Sequence, residues 1–390
     1  MMNPFRIRSM HNPWFEMAGG DFIRCIVVLS ALALLKCGEA ARSPSADGAS
    51  REEARPSAEC EQAWAQAPAR DLVELLANAT STQTPVWSGY GLADGAYVLH
   101  AGSSESGNAC LGLWRGGRAQ GFAALPDEPN LNTLLYGYHL PPEGNERLAE
   151  WAQPASIRTW LEKAGVERAT LMPTEVDDFP FPLTALVKVQ VALHEGFHVE
   201  VQSPGWAEGK TSAPVWDLQP DLKALQACYS GSPAVKKELE EERTALVSHV
   251  EALLDGDSAR ACSTGAEFLS RRASRRGLVE DIDVPRHDDT PGTCAEAEAI
   301  MELEEGAADY ASWTALHELA LVTREQLLGR YRADQSEIFY LTGAMQLHAA
   351  SLMHPEPMSR LSQDIVESAT PAEGSIEAVF GGVLASYCEQ

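Results

Sequence analysis

The stretch VALHEGFHVEVQ holds the residues whose types and spacing are best suited to chemistry. His194 and His198 are four residues apart, and Glu195 directly follows the first histidine. On a helix, side chains four apart share one face, so both imidazoles can reach the same metal ion. Glu195 then lies about 100° around the helix, where its carboxylate could take a proton from a water molecule beside the ion. The spacing is that of an HExxH zinc site, although an ordinary helix with two hydrogen-bonded histidines can carry the same letters.

A third ligand would distinguish a metal site from such an ordinary helix. The acidic helix MELEEGAADYASW offers Glu305, which could complete a His-His-Glu site and leave a position for water. Asp309, one turn later on the same face, could accept the outer N–H of a ligand histidine, and Gly306 would let this helix approach the HExxH helix closely. The remaining acidic side chains are expected to form a solvated face: Glu296, Glu298, Glu302 and Glu304. Either of the last two could instead be the ligand.

A third helix, SEIFYLTGAMQLHAASLMH, is the candidate source of a group that stabilises an oxyanion. Peptide hydrolysis at zinc needs a donor for the negative charge that develops on the carbonyl oxygen. Tyr340 is the first candidate because a phenol can donate at neutral pH. His348, two turns later, is the second, and Tyr310 of the acidic helix is the third. Each could equally be a core side chain whose polar tip is hydrogen-bonded.

The elements that must position these residues predict an α+β chain. Pro182 suits the first turn of the HExxH helix, which must end before Pro204, although the alternation in VKVQV could also pass as a strand. Upstream, residues 86–140 predict a small, mostly antiparallel sheet of three to five strands, with hairpins at Asp94-Gly95 and at Gly116-Gly117. After Phe181 the pattern is almost wholly helical. We therefore expect a small N-terminal sheet followed by a large, zincin-like helical region.

The chain divides by composition into four segments. We predict a signal peptide over 1–40, a disordered linker over 41–59, a mixed helix and antiparallel sheet subdomain over 60–180, and a helical subdomain with the metal site over 181–390. The apolar run Cys25 to Leu35 follows Arg24 and is too short to span a bilayer. The small residues Gly38 to Ala40 suit signal peptidase. Alternatively, Cys37 could carry a lipid anchor, although Lys36 fits poorly before a lipidated cysteine.

Bulk properties restrict the function further. A net charge of −26 over 390 residues disfavours nucleic acid as a partner, since phosphates need lysine and arginine. Export is predicted to the periplasm, the outer envelope or the medium, with no membrane-spanning segment in the mature chain. Beyond residue 40 an even number of cysteines indicates up to three disulfides. Two pairings are suggested by position, Cys60 with Cys110 and Cys262 with Cys294.

Two of these motifs, in this order, resemble the gluzincin family of zinc metallopeptidases. That family combines HExxH with a later helix of the form E-G-x-A-x-Y or E-x-x-x-D, and HEGFH and EGAADY match both halves. The chain is more closely similar to secreted bacterial proteins of unassigned function. These share a W-x-G-[FY] hairpin region, an HE-x-FH helix with a nearby Gln, an EG-x-A-x-Y helix and a Y-x-x-G-A helix. VWSGYGLADGAYVLH, HEGFHVEVQ, EGAADY and YLTGA occur here in that order, so the resemblance covers about residues 84–352.

The resemblance implies that His194, His198 and Glu305 are zinc ligands and that Glu195 is the base. In the similar proteins the Gln follows one residue after the second histidine, whereas here Gln202 comes four after His198. The long segment between the two motifs does not itself support their pairing. We predict an exported zinc-dependent hydrolase, a peptidase that holds one Zn²⁺ per chain and acts on a peptide or protein. The alternative is a catalytically inactive zinc-binding structural or binding protein of the cell envelope.

Overall fold

The structure, a computed structural model, describes most of the chain from residue 64 onward. The described residues are 64, 67–81, 85–87, 90–101, 108–126, 136–139, 155–166, 168–173, 184–202, 222–285, 291–332, 338–354 and 375–390. The predicted signal peptide, the predicted linker and the candidate anchor Cys37 lie outside these residues. Within the described part, no helix is long and apolar enough to cross a membrane.

The first half of the described chain is rich in strands. Its elements are α1 (Ala67–Ser81), β1 (Pro85–Trp87), β2 (Tyr90–Gly91), β3 (Ala96–Ala101), β4 (Asn108–Arg115), β5 (Arg118–Pro126), β6 (Tyr136–His139), α2 (Ala155–Lys163) and β7 (Arg168–Pro173). Five of the strands form one sheet in the order β5-β4-β3-β7-β6. β3 and β7 are parallel, and the other three pairings are antiparallel.

The second half is mostly helical, which confirms the prediction of an α+β chain. Two of its helices contain a π-turn, a five-residue stretch in which the helix widens to i→i+5 hydrogen bonds. Its elements are α3 (Ala185–Phe197), the first π-turn (His198–Gln202), α4 (Leu222–Ser230), α5 (Pro233–Asp255), α6 (Ser258–Gly277), β8 (Asp283–Pro285), β9 (Pro291–Thr293), α7 (Cys294–Met301), the second π-turn (Glu302–Gly306), α8 (Ala307–Glu318), α9 (Arg324–Tyr331), α10 (Ile338–Met353) and α11 (Ile376–Cys388).

Only one of the two predicted hairpins is present. Gly116 and Gly117, with φ of 57° and 72°, form the two-residue turn between β4 and β5, where Arg115 pairs with Arg118. Positive φ at both central positions is what such a turn requires. The turn at Asp94-Gly95 also exists, and the Asp94 carboxylate accepts from the backbone N–H of Gly91. However, β2 pairs with β1 and β3 belongs to the large sheet, so the predicted hairpin there is wrong.

Helix α3 is enclosed by several other elements. It packs against the sheet, against α1 and against α8, and α8 packs in turn against α10. Nearly every side chain of α3 is buried, including Lys188 and Gln190. An enclosed helix needs no amphipathic pattern, so the VKVQV alternation is compatible with a helix, and the predicted helix is confirmed. The helix begins at Ala185 with Thr184 as its N-cap, and Pro182 lies outside the described residues.

The disulfides differ from one of the two suggested pairings. Cys228 is bonded to Cys294, and Cys262 is bonded to Cys388. The suggested pair of Cys262 with Cys294 is therefore wrong, because each of these cysteines faces a helix that is distant in sequence. Cys110 is disulfide-bonded as well, and its suggested partner Cys60 lies outside the described residues. Disulfides are typical of an oxidising, exported environment.

A buried histidine in the sheet predicts a loss of stability in acid. His100 in β3 is 4% exposed, and burial lowers its pKa from 6.5 to about 4. The unfolded chain therefore binds a proton near pH 6.5, which the folded chain does not bind until about pH 4. This contribution to stability is present above pH 6.5 and is lost as the pH falls towards 4. The loss at this one site amounts to about 3 kcal/mol.

We expect His100→Leu to remove that part of the pH dependence. Urea unfolding of both proteins at pH 7.5, 6, 5 and 4 would measure it. The free energy of unfolding of the unaltered protein should fall more steeply with acid than that of the variant. Parallel curves would show that His100 does not titrate between the two states.

Candidate metal centre

His194, His198 and Glu305 form a compact buried group. Their exposed fractions are 1%, 6% and 5%. Among the described residues, they form the one group of three or more histidine, cysteine or acidic side chains with ligand atoms within 4.8 Å of one another. α3 supplies the first histidine, and each of the two π-turns supplies one of the other residues. Since π-turns inside α-helices are often found at functional sites, their position here points to the same group.

The distances within the group match the size of a metal site. The Nε2 atoms of His194 and His198 are 3.1 Å apart, Glu305 Oε2 lies 3.1 Å from His194 Nε2, and it lies 3.6 Å from His198 Nε2. In a tetrahedral zinc site with bonds of about 2.0–2.1 Å, two ligand atoms are separated by about 3.3 Å. The three measured distances bracket that value. The group could therefore hold one metal ion without rearrangement of these side chains.

The charges of the group favour a cation. Burial raises the pKa of the Glu305 carboxyl, but hydrogen bonds from His194 and His198 outweigh burial and hold that pKa well below its usual range. Burial lowers the pKa of His198, but the hydrogen bond to the Glu305 carboxylate and its charge outweigh burial and raise this pKa from 6.5 to about 10. In the absence of metal, therefore, a proton on His198 balances the carboxylate. A divalent ion would replace this proton, because ligand histidines must be neutral.

Glu195 lies half-buried on α3 between the two histidines, as the HExxH spacing predicts. Burial raises the pKa of its carboxyl above the ordinary value, the histidines oppose that effect, and Glu305 adds to it. A carboxylate with a raised pKa is a better proton acceptor than a free one. Its neighbour Gly196 has a packing role, since a Cβ there would lie 2.9 Å from the buried hydroxyl of Tyr97 in β3.

Gln202 at the end of the first π-turn is a further neighbour of the group, outside the predicted ligand set. Its Oε1 lies 2.5 Å from Nδ1 of His198. Its Nε2 donates to the backbone carbonyls of Glu304 and Leu303, at 2.8 and 3.3 Å. One amide side chain thus joins a candidate ligand to the π-turn that carries Glu305. The signal in the sequence was the four-residue spacing from His198, which on a helix places the two side chains on one face.

Asp309 lies beside His194, but it does not form the predicted hydrogen bond. Its Oδ1 is 4.0 Å from Nδ1 of His194, which exceeds hydrogen-bonding distance. The carboxylate instead accepts from Gln190 Nε2 at 3.4 Å and from Arg330 Nη2 at 3.4 and 3.5 Å. All of these side chains are buried. Asp309 is therefore close enough to influence His194 electrostatically, with its charge compensated by Arg330.

The three candidate oxyanion donors lie in different surroundings. The ring of Tyr340 stacks on that of His194, with centroids 6.1 Å apart and an angle of 11° between the planes. His348 Nδ1 instead hydrogen-bonds the hydroxyl of Tyr331 at 3.0 Å, and burial lowers its pKa to about 4. Tyr310 packs against Trp87 and His348. Of the three, Tyr340 is thus the one that the described ring contacts place directly against the candidate metal group.

The expected solvated acidic face is wrong for most of its members. Glu298, Glu302 and Glu304 are buried, and only Glu296 acts at a helix end, in a capping box with Thr293. Neither Glu302 nor Glu304, the two alternative ligands, belongs to the candidate metal group, and the Glu302 carboxylate instead binds Arg272 and accepts from the hydroxyl of Thr342. Acidic residues in helices are usually solvated, and buried ones need partners from elsewhere in the chain.

Those partners come from α6. Arg272 and Arg275 are completely buried, and together they bind three glutamates from α5, α7 and the second π-turn. Arg275 contacts Glu242 at 2.5 Å and Glu298 at 2.7 Å, while Arg272 contacts Glu298 and Glu302. We call these five residues the buried ion network. It fixes Glu302, three residues before Glu305, so it also fixes the start of the second π-turn.

Gly306 brings helices together, but not the predicted pair. A Cβ on Gly306 would lie 2.7 Å from the Cα of Gly343 in α10, and a Cβ on Gly343 would lie 2.6 Å from the carbonyl oxygen of Glu302. These glycines let α10 approach the second π-turn rather than letting α3 do so. The close approach brings Thr342, which precedes Gly343, within reach of Glu302.

Comparison with known proteins adds no family to this geometry. No protein-family model matches the chain, and no curated protein or solved structure matches it either.

Proposed function

We propose that the protein is an exported zinc-dependent hydrolase of the gluzincin kind, which cleaves peptide bonds. The observation that carries this proposal is the triangle of His194 Nε2, His198 Nε2 and Glu305 Oε2, with sides of 3.1, 3.1 and 3.6 Å. Two imidazoles and one carboxylate are the ligand set of catalytic zinc sites that keep a fourth position open. Borderline nitrogen ligands favour zinc over calcium or magnesium, which prefer oxygen.

The residues of the chain would share the chemistry as follows. A zinc ion in the triangle would act as a Lewis acid on the peptide carbonyl and lower the pKa of a water molecule. Glu195, whose pKa burial raises, would accept the proton of that water and then deliver it to the leaving amine. The Tyr340 hydroxyl would donate a hydrogen bond to the carbonyl oxygen as its charge develops. Its ring contact with His194 supports this role.

Charged residues lie around the ligands. Asp309 is beside His194 and is ion-paired with Arg330, and the buried ion network holds the π-turn of Glu305. Export is supported by the disulfides, and the substrate class is a peptide or protein. Because the chain carries a net charge of −26, we do not propose a nucleic acid as its partner.

One observation favours a second candidate, a zinc-binding structural protein of the envelope without turnover. All three ligand residues are buried, and buried closed sites are typical of structural zinc. The two candidates agree on the metal and differ on hydrolysis. Activity towards a peptide substrate therefore separates them.

The test begins with metal analysis of the purified protein. We expect one zinc per chain by plasma mass spectrometry, and hydrolysis of a mixed peptide library as read by mass spectrometry. A chelator should remove the zinc and the hydrolysis together, and added zinc should restore both. Protein that takes up no zinc, even after reconstitution, would overturn both candidates. Stoichiometric zinc without cleavage of any peptide would favour the structural candidate.

A further inference from the structure

The side chain of Gln202 contacts a candidate metal ligand and also the backbone beside another one. It ends the first π-turn, and its side chain reaches across to the second π-turn. Since the amide has one accepting end and one donating end, its orientation determines what each neighbour must do.

The backbone fixes the orientation of the amide. The carbonyl oxygens of Leu303 and Glu304 can only accept, so the group that faces them must be the donating NH₂ of Gln202. The accepting Oε1 must therefore face His198, whose Nδ1 lies 2.5 Å away. Nδ1 must then carry a proton and donate it to Oε1. In the neutral imidazole this leaves Nε2 with the free lone pair, directed at His194 and Glu305.

We infer that Gln202 is a positioning residue for the metal centre. It selects the tautomer of His198 that can bind metal through Nε2, and it ties that ligand to the backbone of the π-turn that presents Glu305. The inference rests on the proposed zinc site. Loss of partners that orient metal-bound histidines typically weakens metal affinity about 10–100-fold.

The decisive variants differ in which end of the amide they remove. Gln202→Leu removes both the acceptor for His198 and the donor to Leu303 and Glu304. Gln202→Glu keeps an acceptor for His198 Nδ1–H, but it places a carboxylate against two carbonyl oxygens. Gln346→Leu is the matched control, because Gln346 is a fully buried glutamine of α10 whose amide donates to Thr342 O within its own helix.

Zinc affinity would be measured on the full-length variants by competition with a chromophoric chelator. We expect Gln202→Leu and Gln202→Glu to bind zinc about 10–100-fold more weakly than the unaltered protein, while Gln346→Leu binds as the unaltered protein does. A second readout is the low-field Nδ1–H resonance of His198 in zinc-free, ¹⁵N-histidine-labelled protein, which reports the hydrogen bond to Gln202 that protects this proton from exchange with water. It should be present in the unaltered protein and in Gln346→Leu, and lost in Gln202→Leu.

The outcomes distinguish this inference from the proposed function. If the unaltered protein binds zinc and Gln202→Leu binds it equally well, the inference is overturned while the metal site stands. Equal weakening in Gln346→Leu would also overturn it, because the effect would then belong to any buried glutamine near these helices. If the unaltered protein binds no zinc, the proposed function fails, and the positioning role fails with it.

Discussion

Glu195→Gln should keep the zinc and lose the hydrolytic activity. The carboxamide has nearly the same shape as the carboxylate, and Glu195 is not a corner of the ligand triangle, so the metal should stay. A carboxamide cannot accept the proton of the attacking water. Since general acid–base groups typically contribute 10²–10⁴-fold, we expect kcat/KM to fall by about that factor, with zinc content unchanged.

His198→Ala and Glu305→Ala provide the comparison for this variant. Each removes a corner of the triangle, so both should lose zinc and activity together. Metal content and peptide cleavage would be measured on the same preparations. If Glu195→Gln cleaved peptides at the unaltered rate, the carboxylate would have no part in proton transfer and the mechanism would be wrong. If Glu195→Gln lost its zinc, the Glu195 carboxylate would have a structural role rather than a catalytic one.

Arg272→Met should destabilise the folded protein by about 3–5 kcal/mol, because it leaves charge buried without a partner. Arg272 and Glu302 are both buried, and after the substitution the hydroxyl of Thr342 would be the remaining hydrogen-bond partner of Glu302 among the described residues. Burial already raises the pKa of the Glu302 carboxyl, and Glu298 raises it further against the opposing effect of Arg272. The variant should therefore lose less stability in acid, where Glu302 can be protonated.

Chemical unfolding at pH 7.5 and at pH 5 would measure this prediction. Arg271→Met is the matched control. Arg271 forms its ion pairs on the partly exposed side of the same helix, so these pairs should contribute little to the free energy of unfolding. The double variant Arg272→Met/Glu302→Gln should recover most of the lost stability. If Arg272→Met and Arg271→Met cost the same, the buried ion network would not hold the second π-turn.

The helices and their candidate ligands could be predicted because their signals are local. On any helix, the spacing of His194 and His198 places their side chains on one face, and Glu195 lies beside that face. Glu305 was predicted from a second local motif, EGAADY, and the structure brings its side chain to the two histidines. The α+β class likewise followed from where turn residues give way to helical periodicity.

Local patterns were wrong where the partner lies far along the chain. Glu298 and Glu302 have the pattern of a solvated face, and nothing near them in sequence indicates that Arg272 and Arg275 arrive from another helix. Cys262 likewise forms its disulfide with Cys388 and not with Cys294, which is nearer in the sequence. Burial and ion pairing depend on which distant segments pack together, so a short stretch of sequence does not predict them.

By itself, then, the sequence determined which residue types stand one helical turn apart, and so which side chains could share a metal ion. Only the tertiary structure decided that two π-turns face each other, that Gln202 spans them, and that Gly306 meets Gly343 rather than the HExxH helix. The physical reason is that a helix determines its own side-chain directions through local hydrogen bonds. Its neighbours are determined by which apolar and charged surfaces of the whole chain can be buried together.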